Sequence, residues 1–109
     1  MSHIQQRLID RFMRYVRVDS ESGHEADFRL LLQSELKDLG LFVKVDRKGN
    51  LIARLKGKKS LPVLLFSAHM DTVQPGKGID PVIRGKRIVS SGSTILGSDD
   101  KSGIAQIME

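Results

Sequence analysis

The run Val63-Leu64-Leu65-Phe66 constrains this chain more than any other feature, because it is apolar without alternation and ends just before Ser67-Ala68-His69. A strand with one wet face alternates apolar and polar side chains, whereas an unbroken run needs cover on both faces. Val63 to Ala68 is therefore expected to be a central strand with elements layered on either side. As the longest apolar run, it falls far short of the roughly eighteen residues needed to span a membrane as a helix.

The flanking segments supply candidates for those layers. Ser2 with Gln5 forms a capping-box pattern and predicts a first helix over about Ser2 to Val18. Ile4, Leu8, Ile9, Phe12, Met13 and Val16 share a broad face of it, with the arginines opposite. Ser22, followed by Glu25, predicts a capped second helix running to Leu39, with Phe28, Leu32, Leu36 and Leu39 at helical spacing and Gly40 as the stop. Leu41 to Asp46 alternates, Lys48-Gly49-Asn50 is a turn, and Leu51 to Leu55 completes a hairpin. Gly57 to Pro62 reads as another turn, and Asp71 to Pro81 as a loop punctuated by glycine and proline. Val82-Ile83 and Arg87 to Ser90 are short strands around Gly85. Leu96 to Asp99 leads into a third helix from about Asp100 to Glu109, with Ile104, Ile107 and Met108 facing inward. Its apolar pattern is still running at Glu109, so the helix is expected to be cut there. Helices with mixed strands give an α/β layer arrangement.

The chain has no cysteine, which excludes disulfides, thiolate metal ligands and a cysteine nucleophile and fits a reducing compartment. No basic leader precedes an apolar core at the N-terminus, so a cytoplasmic protein is expected, with no membrane partner. The formal charge of +5 raises a nucleic-acid alternative. Arg7, Arg11, Arg14 and Arg17 form one basic group, and Lys77, Arg84, Lys86 and Arg87 another. The first lies opposite the apolar face of its helix and reads as solvated surface. With one tyrosine and no tryptophan, the chain has little to stack on bases, and no nucleic-acid partner is expected.

Two segments could carry chemistry. His69 follows directly on the buried run, where open α/β sheets place their ligands. His69 and Asp71 can point the same way in extended chain: a neutral imidazole ligates zinc well, and a carboxylate on its other nitrogen fixes the tautomer. Spacing alone leaves equally open a satisfied histidine beside a loop aspartate. In Gly97-Ser98-Asp99-Asp100-Lys101-Ser102-Gly103, adjacent carboxylates meet a helix start. Neighbouring side chains diverge, so one metal ligand and one capping carboxylate are expected; simple capping by both is the alternative. Lys101 reads as surface. The glycines lack the phosphate-loop pattern.

Ser67-Ala68-His69-Met70-Asp71-Thr72-Val73 together with Leu96-Gly97-Ser98-Asp99-Asp100-Lys101-Ser102-Gly103-Ile104-Ala105 resembles the M20 metallopeptidases, most closely their peptidase T branch. The helix pair and Gly49-Asn50-Leu51 extend the resemblance over nearly the whole chain; Ser98 and Ser102 stand where alanine is common. The resemblance implies an α/β fold, the N-terminal part of a zinc-exopeptidase-like catalytic domain with a mixed β-sheet flanked by helices. Residues 1–109 would be its first portion, truncated in the third helix. By resemblance His69 ligates one zinc, Asp99 bridges two Zn2+ ions, and Asp71 is the non-ligand carboxylate holding His69. The bond between Asp99 and Asp100 is expected to be cis. A general-base glutamate, the remaining ligands and a smaller lid or dimerisation domain, through which a homodimer could form, would lie beyond Glu109. The implied activity is release of the N-terminal residue from a short peptide such as a tripeptide, with this chain alone inactive. Rival expectations are an M20-type amidohydrolase acting on acylated amino acids or metabolites, and a small non-catalytic binding domain.

Overall fold

Helix α1 (His3–Val16) starts at the expected capping box: the Gln5 amide donates to Ser2 Oγ at 3.2 Å, and the Ser2 amide donates to Gln5 Oε1 at 2.9 Å. The computed structural model describes all 109 residues, Met1 to Glu109. Phe12, Tyr15 and Val16 are buried on α1, whereas Ile4 at its first turn is exposed. Helix α2 (Ala26–Asp38) buries Phe28 and Leu32. It ends as read, with Gly40 at φ +85 and amide bonds from Gly40 to Lys37 O and from Leu41 to Leu36 O. That pairing satisfies carbonyls the helix leaves open, in a conformation glycine adopts without a Cβ clash.

The start of α2 differs from expectation. Its N-terminal flanking residue is Glu25, with no side-chain cap. Ser22 instead turns its hydroxyl towards Asp71.

Strands β1 (Phe42–Val45) and β2 (Leu51–Arg54) pair antiparallel. The turn between them is tied by Asp46, whose Oδ1 accepts from the Lys48 and Asn50 amides, each at 2.9 Å. Strands β3 (Pro81–Arg84) and β4 (Arg87–Ser90) form a second antiparallel hairpin about Gly85. The only parallel pairing is an isolated bridge between Glu21 and Thr72. The architecture is thus mixed α/β, with small antiparallel sheets flanked by helices.

Val63 to Ala68 is not a strand, contrary to the sequence pattern. Each hairpin closes on itself, and the segment makes no backbone hydrogen bond to either. Without a paired neighbour there is no sheet to be covered, so Leu64 and Leu65 stand 79% and 90% exposed. An apolar run states a need for cover; it cannot provide it.

Helix α3 (Ser98–Met108) has non-helical backbone at Asp99 and Asp100, so its regular part begins near Lys101. Ile104 and Ala105 are buried and Met108 packs partly against the core, but Ile107 is exposed. The core joins Phe12, Tyr15 and Val16 of α1, Phe28 and Leu32 of α2, Ile79, and Ile104 and Ala105 of α3. Tyr15 meets Phe28 edge-on, with ring centroids 5.4 Å apart.

The arginines of α1 are not a free solvated face. Arg11 and Arg14 both reach Glu35 of α2, at 3.1 and 2.5 Å, while Arg7 and Arg11 reach Glu109, at 2.6 and 3.1 Å. Tyr15 donates its hydroxyl to Glu35 and accepts from Arg11. No helix is long and apolar enough to cross a membrane.

Candidate metal centre

His69 lies at the end of the extended apolar segment, and Asp99 lies on the kink that opens α3. Thirty residues apart in sequence, they meet in space: His69 Nε2 is 3.0 Å from Asp99 Oδ1. The other ring nitrogen, Nδ1, faces Asp71, at 2.9 Å from its carbonyl oxygen and 3.1 Å from Oδ1. The bond between Asp99 and Asp100 is cis, in keeping with the resemblance, and a second cis bond precedes Pro75. Asp100 diverges from its neighbour and accepts from the Gly103 amide at 3.2 Å, the capping role.

Electrostatics bind the three groups together. The hydrogen bond with Asp99 holds the His69 pKa above its usual value, opposed by slight desolvation and aided by Asp71. The Asp71 carboxyl is held below its usual value, first by the Ser22 hydroxyl and then by His69. Both are surface groups, so these shifts carry little folding energy.

Residue chemistry decides whether a metal suits this place. A neutral imidazole nitrogen and a carboxylate oxygen are both good zinc donors. Around a tetrahedral zinc such atoms stand about 3.4 Å apart, a few tenths of an ångström beyond the separation seen here. The Asp99 side chain is 95% exposed and free to make that adjustment. The pair therefore fits, but it is incomplete: no group of three or more His, Cys, Asp or Glu is arranged to hold a metal ion. Glu21, Glu25 and Glu35 do not approach it; Glu21 accepts from the Gly76 amide, Glu25 from the Gly23 amide, and Glu35 is engaged by Arg11, Arg14 and Tyr15.

Two residues near the centre escape a reading by sequence. Ser22 has the spacing of a helix cap yet donates to Asp71 Oδ2 at 2.5 Å. Lys101, read as surface, is 1% exposed; its Nζ donates to Val18 O at 2.6 Å and sits 4.6 Å from the Phe28 ring centroid. The unbroken match of Asp99-Asp100-Lys101 to the resemblance was the one available signal that Lys101 is more than surface.

A kinked helix start brings a carboxylate to a loop histidine, beside hairpins and a helix layer, in a mixed α/β domain whose fold matches the N-terminal part of peptidase T-like catalytic domains. Comparison with known proteins bears this out at the level of fold. An aminopeptidase PepT from Bacillus cereus superposes with a TM-score of 0.93 at 44% identity, over 96% of this chain and 31% of that one. A tripeptidase from Staphylococcus aureus gives a TM-score of 0.92 at 36% identity, with 96% and 31% covered. Peptidase T of Bacillus mycoides is 32% identical over 96% of this chain and 37% of its own length. YqjE of Bacillus subtilis, an uncharacterised protein, is 42% identical over 96% of this chain and 30% of its own length. No protein-family model matches the chain. Over nearly its whole length the chain is homologous to peptidase T and related M20 peptidases, and it spans about a third of their length.

Proposed function

We propose that this chain is the N-terminal portion of a peptidase T-like zinc exopeptidase and carries the first half of its metal centre. The observation that carries this reading is the meeting of His69 Nε2 and Asp99 Oδ1 at 3.0 Å, with Nδ1 turned to Asp71. His69 and Asp99 would hold zinc in the whole protein. When bound, zinc supplies positive charge that polarises a carbonyl and acidifies water.

The chain's own residues do the rest that is visible here. Asp71, through its carbonyl oxygen and Oδ1, would accept the hydrogen bond from Nδ1–H, leaving the Nε2 lone pair free for a metal and raising its basicity. Asp100 stays with the α3 backbone, so only Asp99 projects outward. No group of three or more His, Cys, Asp or Glu is gathered around the pair, so the chain alone would bind metal weakly and hydrolyse nothing. In the whole protein the expected reaction is release of the N-terminal residue of short peptides, tripeptides foremost, in the cytoplasm.

The test combines zinc titration with a peptide assay. Zinc binding by the 109-residue chain should be abolished in His69→Ala and in Asp99→Ala, with no tripeptide cleavage in any sample. Zinc affinity unchanged in both variants would remove the metal site. Hydrolysis by the purified chain that disappears on chelation would refute its inactivity.

A further inference from the structure

We infer that Ser22 is a positioning residue for the metal-binding histidine, acting through Asp71; the inference rests on the metal-site reading of His69. The Asp71 carboxylate has two oxygens with two different tasks. Oδ1 faces His69 Nδ1 at 3.1 Å, and Oδ2 accepts the Ser22 hydroxyl at 2.5 Å. A carboxylate on its own turns readily about its last torsion, which is broad and roughly two-fold. The Asp71 side chain is 40% exposed, so burial does not stop it turning. Engaging both oxygens from opposite sides fixes its plane, and the imidazole, whose Nδ1 also lies 2.9 Å from the Asp71 carbonyl oxygen, takes part of its orientation from that plane.

The hydroxyl is in turn placed by backbone. Segment 19–22 lies along the loop that follows His69 as a strap. The Ser22 amide donates to Thr72 O at 3.0 Å, and the Thr72 amide donates to Ser20 O at 2.9 Å. Beyond these, the Gly76 amide donates to Glu21 Oε2 at 3.0 Å and the Gly78 amide to Asp19 Oδ1 at 2.9 Å. None of the four bonds uses the Ser22 side chain, so removing the hydroxyl leaves the strap in place. The Ser22 Oγ also lies 3.3 Å from Thr72 O, but its single proton goes to the nearer, charged oxygen.

Two substitutions separate the hydroxyl from the fold. Ser22→Ala removes it; Ser22→Thr keeps it. Both are compared with wild type by imidazole 15N spectra of His69 during a zinc titration, which reads affinities down to the millimolar range, with a thermal melt as control. The expected result is a loss of zinc affinity of about tenfold in Ser22→Ala, in the range for partners that orient a metal-binding histidine. Ser22→Thr should stay within about twofold of wild type. Without zinc, Nδ1 keeps the Asp71 carbonyl oxygen as a partner in every variant, so its 15N shift should match wild type in Ser22→Thr and move in Ser22→Ala.

Wild-type zinc affinity and an unmoved Nδ1 shift in Ser22→Ala would overturn the role of Ser22. If zinc binding followed by calorimetry is untouched in His69→Ala and Asp99→Ala, the metal reading fails instead. The zinc-free Nδ1 shift then decides Ser22 alone: an unmoved shift in Ser22→Ala refutes the coupling, and a moved one upholds it.

Discussion

Replacing Lys101 by methionine should turn a pH-dependent stability into a flat one. Lys101 is 1% exposed, with its ammonium against Val18 O and the Phe28 ring. Burial pushes its pKa down to about 8, against a small opposing pull from Asp19. An unfolded lysine titrates near 10.5, so the folded chain gives up its proton first. Between those values the unfolded state binds more protons, and stability rises with pH. Below pH 8 both states are charged and the gain is absent. At about 1.4 kcal/mol per pH unit the whole rise is about 3 kcal/mol, and about 2 kcal/mol of it is reached by about pH 9.5. Lys101→Met keeps the buried stem and removes the charge, but leaves the Val18 carbonyl without its donor, at about 1 kcal/mol. The variant should therefore be the more stable protein near pH 7 and lose that lead towards pH 9.5. Urea unfolding followed by circular dichroism across that interval measures both slopes. A flat wild-type profile, or an equal rise in the variant, would refute the assignment of the titration to Lys101.

Tyr15→Phe should cost about 1–2 kcal/mol, the value of a partly buried hydrogen bond to a charged group, because Tyr15 links Arg11 to Glu35 across α1 and α2. The Tyr15 pKa is raised to about 12, first by burial and then by Glu35, so wild-type stability falls as pH climbs past 10; a urea series carried on above pH 10 should show that fall missing in the variant. Leu65→Lys should suppress concentration-dependent association without shifting the melting temperature, because Val63 to Phe66 presents exposed, extended apolar chain, a form prone to intermolecular pairing. Sedimentation velocity reads it, and undiminished association would show that the run is not the sticky surface.

Features set by neighbouring residues were legible in the sequence. The Ser2–Gln5 box, the Gly40 stop and both hairpins depend on contacts a few residues apart, and all formed where read. Burial is a property of distant partners and was not legible in the same way. The Val63 run resembles a central strand in any context, yet its cover depends on strands that neither hairpin provides. Ser22 illustrates the limit for single residues, because a serine ahead of a helix suits a cap and a carboxylate equally. The candidate site was legible to the extent that His69 and Asp99 could each be picked out. Their meeting could not be deduced from spacing, since it spans thirty residues and depends on how α3 sits against α1 and α2.

The segment from Val18 to Ser22 explains how that meeting is held. It contributes no group to the pair, yet it touches both loops that do. Val18 O takes the Lys101 ammonium, two residues beyond Asp99, and the Ser22 hydroxyl takes Asp71, two residues beyond His69. Val18 continues directly from α1, whose Val16 and Tyr15 lie in the core with Ile104 and Ala105 of α3. The exposed donors are thus indexed against each other through buried structure beneath them, in addition to their own 3.0 Å contact and the bond from the Ile95 amide to Pro75 O. A change in how α1 packs on α3 should therefore alter the spacing of His69 and Asp99 before it alters either loop, and a change confined to an exposed turn such as Gly85 should leave that spacing alone.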